Sequence, residues 1–192
     1  MDIYSKDLLN LLYHKSFLYR ENPPFKLASG QESFYYFNCK NVTLDPEGIN
    51  LVANIFFNKF KQKFLEWEIQ AIGGLTLGAD PISLSLSIIA FQNGLKINPL
   101  IVRKEAKKHG TEKWLEGQLE NVKNVVVIDD VITTGGSTIT AIERIREAGL
   151  QVSQALVLID REEGGRENIE SQGVEVNSLY KKSDFDQKRL NK

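Results

Sequence analysis

Cysteine is almost absent from this sequence: Cys39 is the sole example among 192 residues. An intrachain disulfide is therefore impossible, and a cysteine-rich metal site is excluded with it. Long apolar runs are missing too. None approaches the roughly 18 residues that a membrane-spanning helix requires. The opening MDIYSKDLLN has an acidic second residue and no apolar block of signal-peptide length. Neither sign of charge prevails, since 24 Lys and Arg stand against 25 Asp and Glu for a formal net charge of −1. Such a balance argues against a nucleic-acid-binding surface and against adsorption to a membrane. Repeats and low-complexity tracts do not occur. What remains is ordinary for a globular chain, 42% apolar and 26% charged, and long enough for one domain with a full core. The expectation is a soluble cytoplasmic protein.

The most informative stretch is 125–137, VVVIDDVITTGGS. Val125, Val126, Val127 and Ile128 run without alternation, as in a strand buried on both faces of a parallel sheet. Two adjacent carboxylates follow, Asp129 and Asp130, then Val131 and Ile132, then Thr133, Thr134, Gly135, Gly136 and Ser137. Small and hydroxyl-bearing residues between a strand end and a helix N-terminus let backbone N–H groups converge on an anion. The acidic pair, by contrast, would repel a bare phosphate. Both features are served by a ligand with hydroxyls or a divalent cation on one side and a phosphate on the other. A ribose 5-phosphate is such a ligand: the carboxylates would accept from its 2- and 3-hydroxyls while the loop holds the phosphate. No lysine follows the glycines, so this is not a Walker loop. A plain strand-to-helix turn with a capping Asp would need neither the second carboxylate nor five small residues in a row.

Along the rest of the chain, Ser5 can cap a first helix whose Leu8, Leu9, Leu11 and Leu12 form a face to bury, ending near Lys15. Pro23 and Pro24 force an extended connection. In 25–40, FKLASGQESFYYFNCK, Ser29 and Gly30 make a turn between two short strands. Asp45-Pro46 reads as an N-cap with proline in the first helical position, opening a helix with Ile49, Val52, Ile55, Phe56, Phe60 and Phe64 at helical spacing. From about Ile69 the pattern becomes strand, glycine loop, helix, strand. Gly73, Gly74 and Gly78 mark the loop, Asp80-Pro81 repeats the cap-plus-proline opening, Gly94 ends that helix and 98–102 is the next strand. After the central strand come a helix with Ile139, Ile142 and Ile145 on one face, ended by Gly149, and a buried strand at 155–159. The alternation implies an α/β fold, a parallel sheet flanked by helices, with its ligand at the carboxyl edge of the sheet. Residues 1–45 read as a small hood and 46–192 as the core domain, with 181–192 a solvated basic tail.

Directly after the strand ending at Val102 comes 103–117, RKEAKKHGTEKWLEG. It holds Arg103, Lys104, Lys107, Lys108, His109 and Lys113, with no apolar period to pin it to a core, so an exposed and mobile segment is expected. Most charge runs are merely solvated loops. This one starts at the carboxyl end of a strand, on the side of the phosphate loop, and is largely positive in a balanced chain. Those features favour a role toward a diphosphate leaving group, whose negative charge grows as its bond to ribose breaks.

Taken together, these motifs resemble a known family. The 125–137 stretch is similar to the phosphoribosyl diphosphate signature of the type I phosphoribosyltransferases. RKEAKKHGTEKWLEG resembles the mobile catalytic loop of the orotate phosphoribosyltransferases, which other type I members lack. FKLASGQESFYYFNCK, GGLTLGADPIS and IDREEGG resemble the same family's N-terminal segment, its diphosphate-side loop and the stretch after its last core strand. The order agrees over about residues 3–180. The resemblance implies that Arg103, Lys104, Lys107 and His109 contact the diphosphate, with Lys107 the main catalytic cation. It implies that Asp129 and Asp130 take the ribose hydroxyls, directly or through Mg²⁺, and that Val131, Ile132, Thr133, Thr134, Gly135, Gly136 and Ser137 wrap the 5-phosphate. Thr133 and Arg161 would contact orotate, Arg161 through its carboxylate, with Phe34 and Tyr35 near the pyrimidine. Ala28 and Gly78 stand where some members have lysine. A homodimer with shared active sites is implied as well, the cationic loop of one subunit reaching into the other.

The implied activity is Mg²⁺-dependent transfer of the 5-phosphoribosyl group from 5-phosphoribosyl 1-diphosphate to orotate, giving orotidine 5-phosphate and diphosphate in pyrimidine synthesis. Two other readings stand beside it: a regulatory nucleotide sensor on the same fold, and a transferase for another base. His14, Cys39, Trp67 and Trp114 receive no chemical role.

Overall fold

The computed structural model describes residues 3–26, 32–105 and 114–190. The chain opens with helix α1 (Ile3–Lys15) and strands β1 (Phe17–Tyr19), β2 (Phe25–Lys26), β3 (Glu32–Ser33) and β4 (Tyr35–Phe37). β1 pairs antiparallel with β4, and β2 with β3; the Ser29-Gly30 turn lies outside the described residues. Because α1 already begins at Ile3, Ser5 lies inside it rather than capping it, and its carbonyl accepts from the Tyr180 hydroxyl at 2.7 Å. After the short α2 (Lys40–Thr43) comes α3 (Pro46–Glu66). Its start matches the cap expected there: the Asp45 carboxylate accepts from the Gly48 amide at 2.8 Å, with Pro46 in the first turn.

The remainder alternates: β5 (Ala71–Leu75), α4 (Ala79–Gln92), β6 (Asn98–Val102), β7 (Leu115–Glu116), β8 (Asn124–Ile132), α5 (Gly136–Glu147), β9 (Gln151–Asp160), α6 (Gly165–Glu170), β10 (Glu175–Lys181) and α7 (Lys182–Leu190). Six strands form one sheet in the order β10-β9-β8-β5-β6-β7, parallel except for β7. Two apolar clusters sandwich it. Val126 and Ile128 enter the one built with α1, α3 and α4, while Val125 and Val127 enter the one built with α5 and α6. Alternate side chains of a strand point to opposite faces, so a strand covered on both must be apolar throughout.

Three further expectations need correction. β8 does not stop at Ile128 but carries both aspartates within it and ends at Ile132. Asp80 is not an N-cap, because α4 starts one residue earlier; its buried carboxylate accepts from the Thr76 hydroxyl at 2.6 Å. The stretch read as a solvated tail finishes β10 and forms α7. One aromatic, Phe185, is fully buried there against Phe17, Phe37 and Tyr180, and burying such a side chain is worth about 2–3 kcal/mol. A single apolar anchor in a charged helix leaves no stripe for periodicity to detect.

The 103–117 segment is pinned at both ends. β7 pairs antiparallel with the end of β6, Leu115 opposite Val102, and the Arg103 amide donates to the Trp114 carbonyl at 2.8 Å. Leu115 is buried, so the outgoing arm does have an apolar anchor; Lys107, Lys108, His109 and Lys113 lie outside the described residues. On the far edge of the sheet, the β10 carbonyls of Val176 and Ser178 accept from the Arg166 guanidinium and the Lys59 ammonium.

Candidate active site

The carboxyl ends of β8 and β9 and the strand β4 surround a cavity of ≈ 380 Å³. Its walls are Asp129, the run from Val131 to Thr138, Arg161, Tyr36 and Phe37. Residues separated by more than a hundred positions in sequence thus meet because β8 lies beside β9 and the N-terminal strands fold over their ends.

Thr133, Thr134, Gly135, Gly136 and Ser137 form the floor of this cavity. Gly135 has φ = +82° and precedes the first turn of α5, a left-handed position that only glycine takes without cost. It leaves backbone N–H groups of the helix start free for an anion. α6 supports the loop from below. A Cβ on Gly165 would fall 2.5 Å from the Thr133 carbonyl, so glycine is needed for that close approach, and Asn168 Nδ2 donates to the Thr134 carbonyl at 3.0 Å. The IDREEGG stretch therefore supports the loop through Gly165 and contributes Arg161 to the cavity wall.

Asp129 is buried. Its carboxyl accepts from the Thr138 hydroxyl at 2.8 Å and from the Asp130 amide at 3.0 Å. Burial pushes its pKa from 3.8 up to about 8, with the neighbouring Asp130 carboxylate adding to the rise. Asp130 is half-buried and is not part of the cavity wall; a Cβ on Gly78 would sit 2.4 Å from its Oδ1. The second carboxylate therefore faces Gly78 in the short connection between β5 and α4, Gly73 and Gly74 lying inside β5 rather than in the loop. Any side chain at position 78 would oblige the Asp130 carboxyl to swing away.

The raised value has a thermodynamic sign. Between about pH 4 and pH 8 the folded ligand-free protein holds a proton on Asp129 that the unfolded chain has released. Stability from this group is thus present at low pH and is lost as pH rises through that window. Thermal melts of the ligand-free protein should show Tm falling over it, and Asp129→Asn should flatten that part of the profile. Parallel profiles for the two proteins would refute the assignment.

Arg161 is 4% exposed, with Nη2 donating to the Ser33 hydroxyl at 3.1 Å and to Glu163 Oε1 at 2.7 Å. Its Nε is buried without a hydrogen-bond partner among the described residues. A guanidinium in a cavity wall presents a planar fork suited to a carboxylate ligand, and Glu163 already supplies one such partner to its Nη2. Of the aromatics expected nearby, Phe34 is 49% exposed, and Tyr35 packs on Phe17 and Tyr19 with the Lys182 ammonium over its ring. Neither lines the cavity, whereas the next two residues, Tyr36 and Phe37, do. Arg103 and Lys104 stand at the end of β6; Arg103 is paired with Glu116 at 3.2 Å, Lys104 is exposed, and neither is in the cavity wall. Lys107 and His109 are outside the described residues. Thr138, Asn168, Gly165, Tyr36 and Phe37 are contributors that sequence reasoning did not single out.

A parallel sheet delivering two carboxylates and a glycine-hydroxyl anion loop at one strand end defines the class of enzymes that handle phosphorylated ribose. Residues 44–182 match the family model described as the phosphoribosyl transferase domain. A protein of Leptospira biflexa named orotate phosphoribosyltransferase is 47% identical over 172 residues, which is 89% of this chain and 92% of that one. The structure of Mycobacterium tuberculosis H37Rv orotate phosphoribosyltransferase with Fe(III) dicitrate superposes with a TM-score of 0.77 at 30% identity, covering 95% of this chain and 98% of that one. A structure of the same enzyme with 5-phospho-alpha-D-ribosyl 1-diphosphate gives 0.74 at 27% identity and the same coverage. The chain belongs to the orotate phosphoribosyltransferases, within the type I phosphoribosyltransferase family.

Proposed function

We propose that this enzyme transfers the 5-phosphoribosyl group from 5-phosphoribosyl 1-diphosphate to N1 of orotate, releasing diphosphate and orotidine 5-phosphate. The observation that carries this is one cavity lined by the glycine–hydroxyl loop (133–137), a buried carboxyl (Asp129), a buried guanidinium (Arg161), Tyr36 and Phe37. The loop holds the 5-phosphate, and Asp129 and Asp130 accept from the ribose hydroxyls. Arg161 receives the orotate carboxylate, Thr133 completes the contact, and Tyr36 borders the pyrimidine. As the bond between the anomeric carbon and diphosphate breaks, charge builds on the leaving group. Arg103, Lys104, Lys107 and His109 offset it, with Lys107 foremost. The protein thus acts chiefly by positioning and by preformed electrostatics. The complex of the tuberculosis relative with the same diphosphate supports the donor's identity.

Mg²⁺ fits this donor set. Among the described residues no group of three or more His, Cys, Asp or Glu could hold a metal by itself. The Asp130 carboxylate, joined by Asp129 once an arriving cation displaces its proton, suits an ion that takes one or two protein oxygens and completes its shell from substrate and water. Bound with the substrate, Mg²⁺ would supply positive charge toward the diphosphate. The enzyme works, on this reading, as a cytoplasmic homodimer with shared sites. Leu84, Ile88 and Phe91 lie exposed along one face of α4, an apolar surface of the kind that subunit contacts cover. No helix among the described residues is long and apolar enough to cross a membrane.

The test offers orotate, uracil, adenine and hypoxanthine in turn with phosphoribosyl diphosphate and follows diphosphate release. Only orotate should react, and turnover of a purine instead would overturn the reading. The same assay on Arg161→Lys should show KM for orotate rising at least tenfold while KM for phosphoribosyl diphosphate changes little, because lysine cannot reproduce a bidentate contact. Equal effects on the two substrates would leave Arg161 a packing residue.

A further inference from the structure

We infer that Arg144 is a positioning residue for the cationic segment, clasping both of its roots from the helix that carries the phosphate loop. Its Nη1 donates to the Arg103 carbonyl and its Nη2 to the Lys104 carbonyl at 3.1 Å. Its guanidinium also lies over the indole of Trp114, Cζ 4.0 Å from the ring centroid. The incoming and outgoing arms are therefore held by one side chain, at the point where the Arg103 amide also meets the Trp114 carbonyl at 2.8 Å. Arg144 sits two turns into α5, a helix fixed to the core by Ala141, Ile142 and Ile145 and beginning at Gly136 in the anion loop. Eight residues of helix span about 12 Å, so one rigid strut joins the loop proposed to hold the 5-phosphate to the cations proposed to face the diphosphate. A planar fork that grips two carbonyls and stacks on an indole is a task for arginine that lysine cannot perform. Arg144 touches no substrate on this assignment; it acts through the placement of Arg103 and Lys104. The inference rests on the proposed role of those cations.

Hydrogen–deuterium exchange and steady-state kinetics on Arg144→Gln and Arg144→Lys test it. Exchange at the Arg103 amide should speed up in the Gln variant while α5 and β8 keep their protection. In the same protein kcat should fall at least tenfold with KM for orotate within a factor of two, since Arg161 and Tyr36 are untouched. The Lys variant should fall between. A variant that unfolds is recognised by lost protection in β8, and the Lys variant then decides. Unchanged exchange at Arg103 overturns the clasp, and faster exchange with unchanged kcat overturns its positioning role. If the unmutated protein fails to turn over orotate, the functional reading fails first, visibly and before any variant is compared.

Discussion

Lys107→Ala is expected to lower kcat by about 10²–10³, the usual loss when one preorganised donor to a developing charge is removed. Diphosphate carries most of its new charge in the transition state, when the bond to the anomeric carbon is largely broken. A cation that meets it there contributes more to that state than to the bound substrate. KM for phosphoribosyl diphosphate should therefore change far less than kcat, and orotate binding hardly at all. Tm should stay put, since nothing in the sequence around Lys107 supplies an apolar anchor to the core. Steady-state kinetics with both substrates varied decide the matter. An effect confined to KM would show that Lys107 only helps to hold the donor.

Mixing two nearly inactive variants should restore activity. On the proposed roles, Lys107→Ala should spoil the cationic loop and Asp130→Asn the ribose side. If each site combines the loop of one subunit with the carboxylates of the other, a hybrid dimer has one site with both defects and one with neither. Random exchange makes about half the dimers hybrid, so activity should climb to about a quarter of the unmutated level. Measured against parents reduced a hundredfold or more, that recovery is unmistakable. Native mass spectrometry must confirm that hybrids form. Hybrids without recovered activity would mean that each loop serves its own chain, and the shared-site dimer would be wrong.

What could be read from the sequence was whatever local chemistry dictates. The 125–137 stretch announces itself because carboxylates, hydroxyls and glycines there have no joint purpose in a bare turn; Asp129 and residues 131–137 line one cavity with Arg161, while Asp130 does not. Asp45-Pro46 worked as a cap because capping is a contact over three residues. Asp80-Pro81 looks the same, yet α4 has already begun at Ala79 and the carboxylate accepts from Thr76, four residues upstream, instead of capping the helix. Of the aromatics, Phe34 and Tyr35 were the ones expected near the ligand, whereas Tyr36 and Phe37 line the cavity. Phe34 and the three residues of β4 (Tyr35, Tyr36 and Phe37) are alike in composition, and which of them border the cavity is set by how β4 folds over the sheet end, a contact between distant segments. The supports from Thr138, Gly165 and Asn168 join distant segments and leave no periodic trace.

The outer strand of the sheet has one more consequence. An exposed strand edge with free carbonyls is a template on which another chain can zip, the first step toward fibrils. In β10 the carbonyls of Val176 and Ser178 are already engaged by Arg166 and Lys59, long cations that an incoming strand would have to displace. At the opposite border β7 is only two residues long, too short to nucleate a ladder. Crowded copies of this protein therefore meet sheet edges that refuse them, and fibre growth must wait until those cations let go.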